Sequence, residues 1–120
     1  MKVFVYFNLH KKLWSVKAME GENKGRVVLH TKYITLVNVK PKVSEAGRQR
    51  VLRDRSKNVH AGLVGEILFT DVKVYKSEDR RQLTYNPYKF KTFVDKQTLE
   101  PVESIDYAYM DADDRSVTVM

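Results

Sequence analysis

The clearest helical period in this chain lies in residues 44–62 (SEAGRQRVLRDRSKNVHAG), and everything else has to be fitted around one helix. Arg48, Val51, Leu52 and Arg55 recur at steps of three and four, which puts them on one side of a helix. Ala46, Val51 and Leu52 form a narrow apolar stripe with guanidiniums along its flanks. Ser44 suits the N-cap, where its hydroxyl accepts a first-turn N–H, and Glu45 meets the positive end of the helix dipole. Gly47 costs such a helix about 1 kcal/mol against alanine, so a short helix held by packing is expected. Steps of about 100° place Arg48 and Arg55 nearest the packed stripe and Arg53 most nearly opposite.

On either side the period changes to two. Residues 2–8 alternate Val3, Val5, Phe7 with Phe4, Tyr6, Asn8, a strand buried in part on both faces. Residues 9–12 turn, and residues 13–18 return with Trp14, Val16 and Ala18 on one face. Gly21, Asn23 and Gly25 mark a loop. Residues 26–39 are β-branched and too long for one ordinary strand, which predicts a bend near Thr31 or Lys32, and Pro41 is expected to end the pairing. Past the helix, two glycines are expected to break residues 58–70. Residues 66–75 read as strand with a turn near Thr70-Asp71, and residues 76–81 as a charged loop. Asn86-Pro87 marks a turn between aromatic-rich arms, and residues 95–97 another turn. Residues 104–110 alternate again, with 116–119 closing a hairpin over Asp113-Asp114. One domain over residues 1–120 follows, α+β, a mainly antiparallel sheet with one central basic helix.

Charge narrows the partner. The net +7 is uneven: residues 1–60 carry 14 Lys/Arg against 4 Asp/Glu, and residues 61–120 carry 8 against 11. A basic first half favours an anionic partner, whereas the acidic second half argues against a protein that coats DNA and offers complementary charge for a homo-oligomer. With no cysteine there is neither a disulfide framework nor a thiolate site. His10, His30 and His60 lack a metal-ligand spacing. No apolar run approaches the roughly 18 residues of a membrane span, so a cytoplasmic location without membrane contact is expected.

Three stretches supply the candidate ligand-binding residues. The arginine cluster, with Arg48 and Arg55 foremost, can grip phosphates through bidentate bonds that lysine cannot reproduce, although a charge run also reads as a solvated helix face. Asn58 and His60 follow directly, beside small residues that let backbone N–H groups approach an anion; Asn58 also fits a left-handed helix cap. Tyr85, Asn86, Tyr88 and Lys89 combine ring faces for stacking, an amide and a cation, the components of a nucleotide pocket or a single-strand platform, or of a well-filled hairpin. Asn8, His10 and Trp14 carry the same two readings. No glycine-rich phosphate loop, nucleophile elbow or calcium-loop pattern is present, so no catalytic residue, metal or cofactor is expected.

FNLHKKLWSVKAMEGENKGRVVLH (residues 7–30) and VSEAGRQRVLRDRSKNVHAGLVG (residues 43–65) resemble small proteins of tailed bacteriophages and prophages. Within that group the chain is similar to the first type of Thoeris anti-defence protein. That resemblance implies a sponge that sequesters cyclised ADP-ribose immune signals without degrading them and assembles as a homo-oligomer in the infected host. The expected function is therefore sequestration of a small anionic nucleotide signal, of cyclic ADP-ribose or cyclic oligonucleotide type. The alternatives are a nucleic-acid-binding regulator and a protein decoy of a host enzyme.

Overall fold

Alternation at the N-terminus becomes a hairpin in the computed structural model, which describes residues 1–56, 59–68 and 81–120. β1 (Lys2–Asn8) pairs with β2 (Leu13–Ala18), setting Val5 opposite Val16 and Phe7 opposite Trp14. Asn8 organises the turn, its Oδ1 accepting the N–H groups of His10 and Lys11. The expected bend near Lys32 is the joint between β3 (Val27–Thr31) and β4 (Tyr33–Val43).

Two readings made from Pro and Gly are corrected by strand order. Pro41 does not end pairing: it stands opposite Leu63, and β4 runs on to Val43 opposite Ala61. The pairing of β4 with β8 (Ile105–Asp111) extends only to Val39, so at Pro41 β4 is bordered by a strand on one side alone, where a missing N–H is tolerated. Nor do Gly62 and Gly65 break the chain, because both lie inside β5 (Ala61–Ile67). A Cβ on Gly62 would meet the Val5 carbonyl and come within 2.7 Å of the Phe4 ring, while one on Gly65 would lie 2.9 Å from the Val37 carbonyl. Glycine is there for close approach.

The helix α1 (Glu45–Asp54) is capped as the sequence predicts, Ser44 Oγ accepting Gly47 N–H at 3.2 Å. It sits within the β4–β5 connection, and Ser44 N–H donates to the His60 carbonyl at 2.7 Å. Arg55, with φ of 51°, takes the left-handed cap position that the sequence also allowed for Asn58. Asn58 itself, and the strand and turn expected between residues 69 and 80, lie outside the described residues. The packed side of α1 is Gly47, Arg48 and Val51, not Ala46, Val51 and Leu52; Ala46 is exposed. Gly47 explains the rotation, since a Cβ there would stand 2.7 Å from His60 Cβ. The glycine that weakens the helix lets it seat.

The remaining strands are β6 (Arg81–Thr84), β7 (Val94–Asp95), β8 and β9 (Ser116–Val119). The described strands make one antiparallel sheet in the order β3-β2-β1-β5-β4-β8-β9-β6-β7, an α+β and mainly β fold. One face carries the core, from Trp14 and Val16 through Leu63, Leu36 and Met110 to Leu83. The sheet curls around that face. Arg115, in the β8–β9 turn, lies 4.5 Å from the ring of Phe7 on β1 although β5 and β4 separate β1 from β8.

Candidate functional site

Curling leaves a cavity of about 1080 Å³ over the core face, bordered by the end of α1 and by three connections: β1–β2, β6–β7 and β8–β9. Its floor is sheet, with Val5, Leu63 and Met110 among the lining side chains. Phe7 and Trp14 form one wall, Trp14 standing edge-on to Phe7 at 5.2 Å and 81°. Trp14 is buried, and its indole N–H finds no acceptor among the described residues. A buried donor left in that state costs about 1–3 kcal/mol.

The β6–β7 connection brings in Tyr85, Tyr88 and Phe93. Tyr85 stacks on Phe93 at 5.1 Å and bonds His60 Nε2 through its hydroxyl at 2.6 Å. Burial pushes the Tyr85 phenol up, the Arg48 charge opposing it, so the group stays protonated at neutral pH and has a proton to donate to His60. Asn86 builds the turn and does not line the cavity: its Oδ1 accepts Tyr88 N–H, and its carbonyl accepts from Lys89 and Phe90. Lys89 is exposed and also outside the lining.

The arginines divide sharply. Arg48 is 9% exposed, as expected of a residue near the packed side, but its bonds run inward to the scaffold. Nε donates to the carbonyls of Pro87 and Phe90 at 3.0 and 3.1 Å, and Nη1 to Glu45 at 3.0 Å. That guanidinium fixes the 86–90 turn on α1. Arg53 points away, 72% exposed beside Asp54, which is the side assigned to it by helical spacing. Arg55, which helical spacing puts beside Arg48 near the packed side, is instead exposed at the cavity rim with Ser56, because the helix ends at Asp54 and the left-handed backbone of Arg55 takes it off the helical face.

Of the residues singled out in the sequence, the fold therefore assembles Arg55, His60, Tyr85 and Tyr88 around one cavity, with Asn8, His10 and Trp14. Arg48 and Asn86 support it from behind. Sequence reasoning missed Arg115, whose guanidinium covers the Phe7 ring in a cation–π contact. Its one signal is to be the single basic residue after Lys96, in an otherwise acidic stretch. Asp114 beside it is held ionised by hydrogen bonds from Ser116, which lower its pKa. No group of three or more His, Asp or Glu side chains among the described residues gathers as a metal-ligand set.

The arrangement is a broad cleft open to solvent, with rings on its walls and the Arg55 and Arg115 guanidiniums and the Asp114 carboxylate in its lining. Sequence comparison gives the lineage. The family model described as the Mycobacterium phage L5 gene 82 protein matches residues 1–118. The chain belongs to that family. The gene 82 protein of Mycobacterium phage L5 is 40% identical over 116 residues, covering 92% of this chain and 90% of that protein. No solved structure matches. Gene 82 membership bears out the phage origin read from residues 7–30 and 43–65, and it does not extend to the anti-defence role implied there. Among the described residues no helix is long and apolar enough to cross a membrane.

Proposed function

We propose that this gene 82 family member is a binding protein that sequesters a small anionic nucleotide in the cavity of its sheet, without turnover. The observation that carries the reading is the pairing of two rim guanidiniums, Arg55 and Arg115, with an aromatic lining of Phe7, Trp14, Tyr85 and Tyr88. Guanidiniums match phosphate oxygens, and rings match a base. The volume of about 1080 Å³ lies just above the roughly 300–1,000 Å³ usual for small-molecule sites, roomy enough for a dinucleotide-sized ligand. The Thoeris anti-defence likeness supplies the biological role: removal of a cyclic ADP-ribose type immune signal in the cytoplasm of the infected host. Opposite charge on the two halves of the chain supports action as a homo-oligomer.

Native mass spectrometry after incubation with cyclised ADP-ribose and cyclic dinucleotides tests this directly. A retained ligand should be recovered with unchanged mass after denaturation. Arg55→Ala and Arg115→Ala should each weaken its binding about tenfold, the loss of one charge-assisted bond, as read by calorimetry. A ligand released in hydrolysed form would replace sequestration with catalysis. Failure to retain any nucleotide would remove the reading.

A further inference from the structure

The face of the sheet opposite the cavity carries a second constellation. Cross-strand partners share a face, so the register reads it out. Phe4 on β1 stands opposite Lys17 on β2 and Val64 on β5, and Val64 stands opposite Lys40 on β4. Lys42 stands opposite Gly62, two residues along from Lys40 and about 7 Å away at strand spacing. Tyr6, two residues from Phe4, shares the face and also borders the cavity, and the two rings lie 5.9 Å apart, tilted by 35°. Both are half-buried. The close approach at Gly62 explains how Phe4 lies: its ring rests where a β5 side chain would otherwise stand, against the sheet and not upright on it.

Charge on these four strands is one-sided. Lys2, Lys17, Lys40 and Lys42 share the face with Glu66, which is opposite Lys2 at the far end from Lys42. Among the described residues, Lys17, Lys40 and Lys42 form no ion pair. Two adjacent rings on a sheet face framed by lysines that form no ion pair among the described residues fit a polyanion with exposed bases. A duplex hides its bases; a single strand presents them for stacking while its phosphates reach the cations.

We propose that this outer face binds single-stranded nucleic acid, with bases stacked on Phe4 and Tyr6 and phosphates held by Lys17, Lys40 and Lys42. The site borders the cavity at Tyr6 and Gly62, while Phe4 and the three lysines lie outside the cavity lining, so it does not depend on what the cavity holds.

Fluorescence anisotropy with a labelled oligo-dT 15-mer, an oligo-rU 15-mer and a 15-base-pair duplex, at stepped salt, tests it on the full chain. Single strands should bind more tightly than the duplex. Phe4→Leu and Tyr6→Leu should each weaken binding about tenfold with little change in salt dependence. The triple variant Lys17→Gln, Lys40→Gln, Lys42→Gln alters exposed or half-exposed side chains and should keep the fold. It should lower the steepness of log K against log salt by about 2, the share of three phosphates at ~0.7 each. Arg55→Ala and Arg115→Ala should leave oligonucleotide affinity unchanged. Equal binding of duplex and single strand, or an unaltered salt slope in the triple variant, would overturn the proposal. Loss of oligonucleotide binding in the two arginine variants would move the nucleic acid into the cavity and likewise overturn it.

Discussion

The β8–β9 turn and the 86–90 turn both reach the cavity rim and both are tied to residues far along the chain, the first through exposed side chains and the second through a buried guanidinium. Within residues 111–116, Asp111 Oδ1 accepts Asp113 N–H and Asp114 Oδ1 accepts Ser116 N–H, both at 2.9 Å, while Ala112 N–H donates to the Lys32 carbonyl and exposed Asp113 accepts from Tyr33 and pairs with Lys32, both at 3.0 Å. The 86–90 turn has its own Asn86 bonds, yet two of its carbonyls are claimed by Arg48, about forty residues earlier, and its neighbour Tyr85 is fixed by His60. The long-range side-chain ties of Asp113 in the first turn lie in solvent. The other takes its position from a buried side chain of a helix, so substitutions on α1 should be felt in the cavity wall more strongly than those at the exposed β8–β9 turn.

The largest test of that contrast is Arg48→Ala. It leaves the Pro87 and Phe90 carbonyls without their guanidinium donor in a half-buried setting, and about 3 kcal/mol of stability should be lost, at about 1–3 per unsatisfied group. The urea midpoint should fall with the slope retained. A loss below about 0.5 kcal/mol would mean that the turn holds itself, and the contrast would collapse.

This long-range dependence also marks where the sequence could and could not be read. The β1, β2 and β8 strands, the β8–β9 hairpin and the Ser44 cap were legible because alternation and capping are decided within a few residues. Pro41, Gly62 and Gly65 were misjudged as breaks since each depends on which strand lies beside it, and that order is fixed by residues far along the chain. Arg48 was correctly placed near the packed side of the helix. Its use as a brace for residues 86–90 was invisible, because nothing in the local pattern separates a scaffold guanidinium from one awaiting a ligand. Arg55, His60, Tyr85 and Tyr88 came together from aromatic and cationic character alone; Arg115 needed the curl of the sheet.

A smaller effect is expected at Tyr85→Phe. Stacking on Phe93 is kept and the bond to His60 is lost, so about 1 kcal/mol should disappear. Thermal unfolding of this variant in the Arg48→Ala background sharpens the comparison. If both contacts hold the same loop, the double variant should lose less than the two single losses added together. Strict additivity would show that the two contacts act on separate pieces of structure.

The smallest effect belongs to the exposed turn. Folding lowers the Asp114 pKa through its bonds to Ser116. Its contribution is therefore present above the unfolded value of about 3.9 and is lost as pH falls through the folded value. Asp114→Asn keeps an acceptor oxygen but cannot titrate, so stability should decline less steeply below about pH 4 than in the unaltered protein. Melting curves between pH 2.5 and 6 read this out, and identical acid limbs for the two proteins would contradict it.

Val43 and Ala61 occupy one rung of the sheet, and the chain that leaves at the first re-enters at the second, with Ser44 tied to His60 across the gap. In architectural terms α1 is an ornament on a hairpin. A tight turn substituted between those two residues would leave every rung of β4 and β5 available to pair, removing one cavity border, the brace on residues 86–90 and the arginine cluster together. The segment is therefore an insertion at one end of the sheet, and exchanging it would rebuild one wall of the cavity while leaving the rungs between β4 and β5 in place.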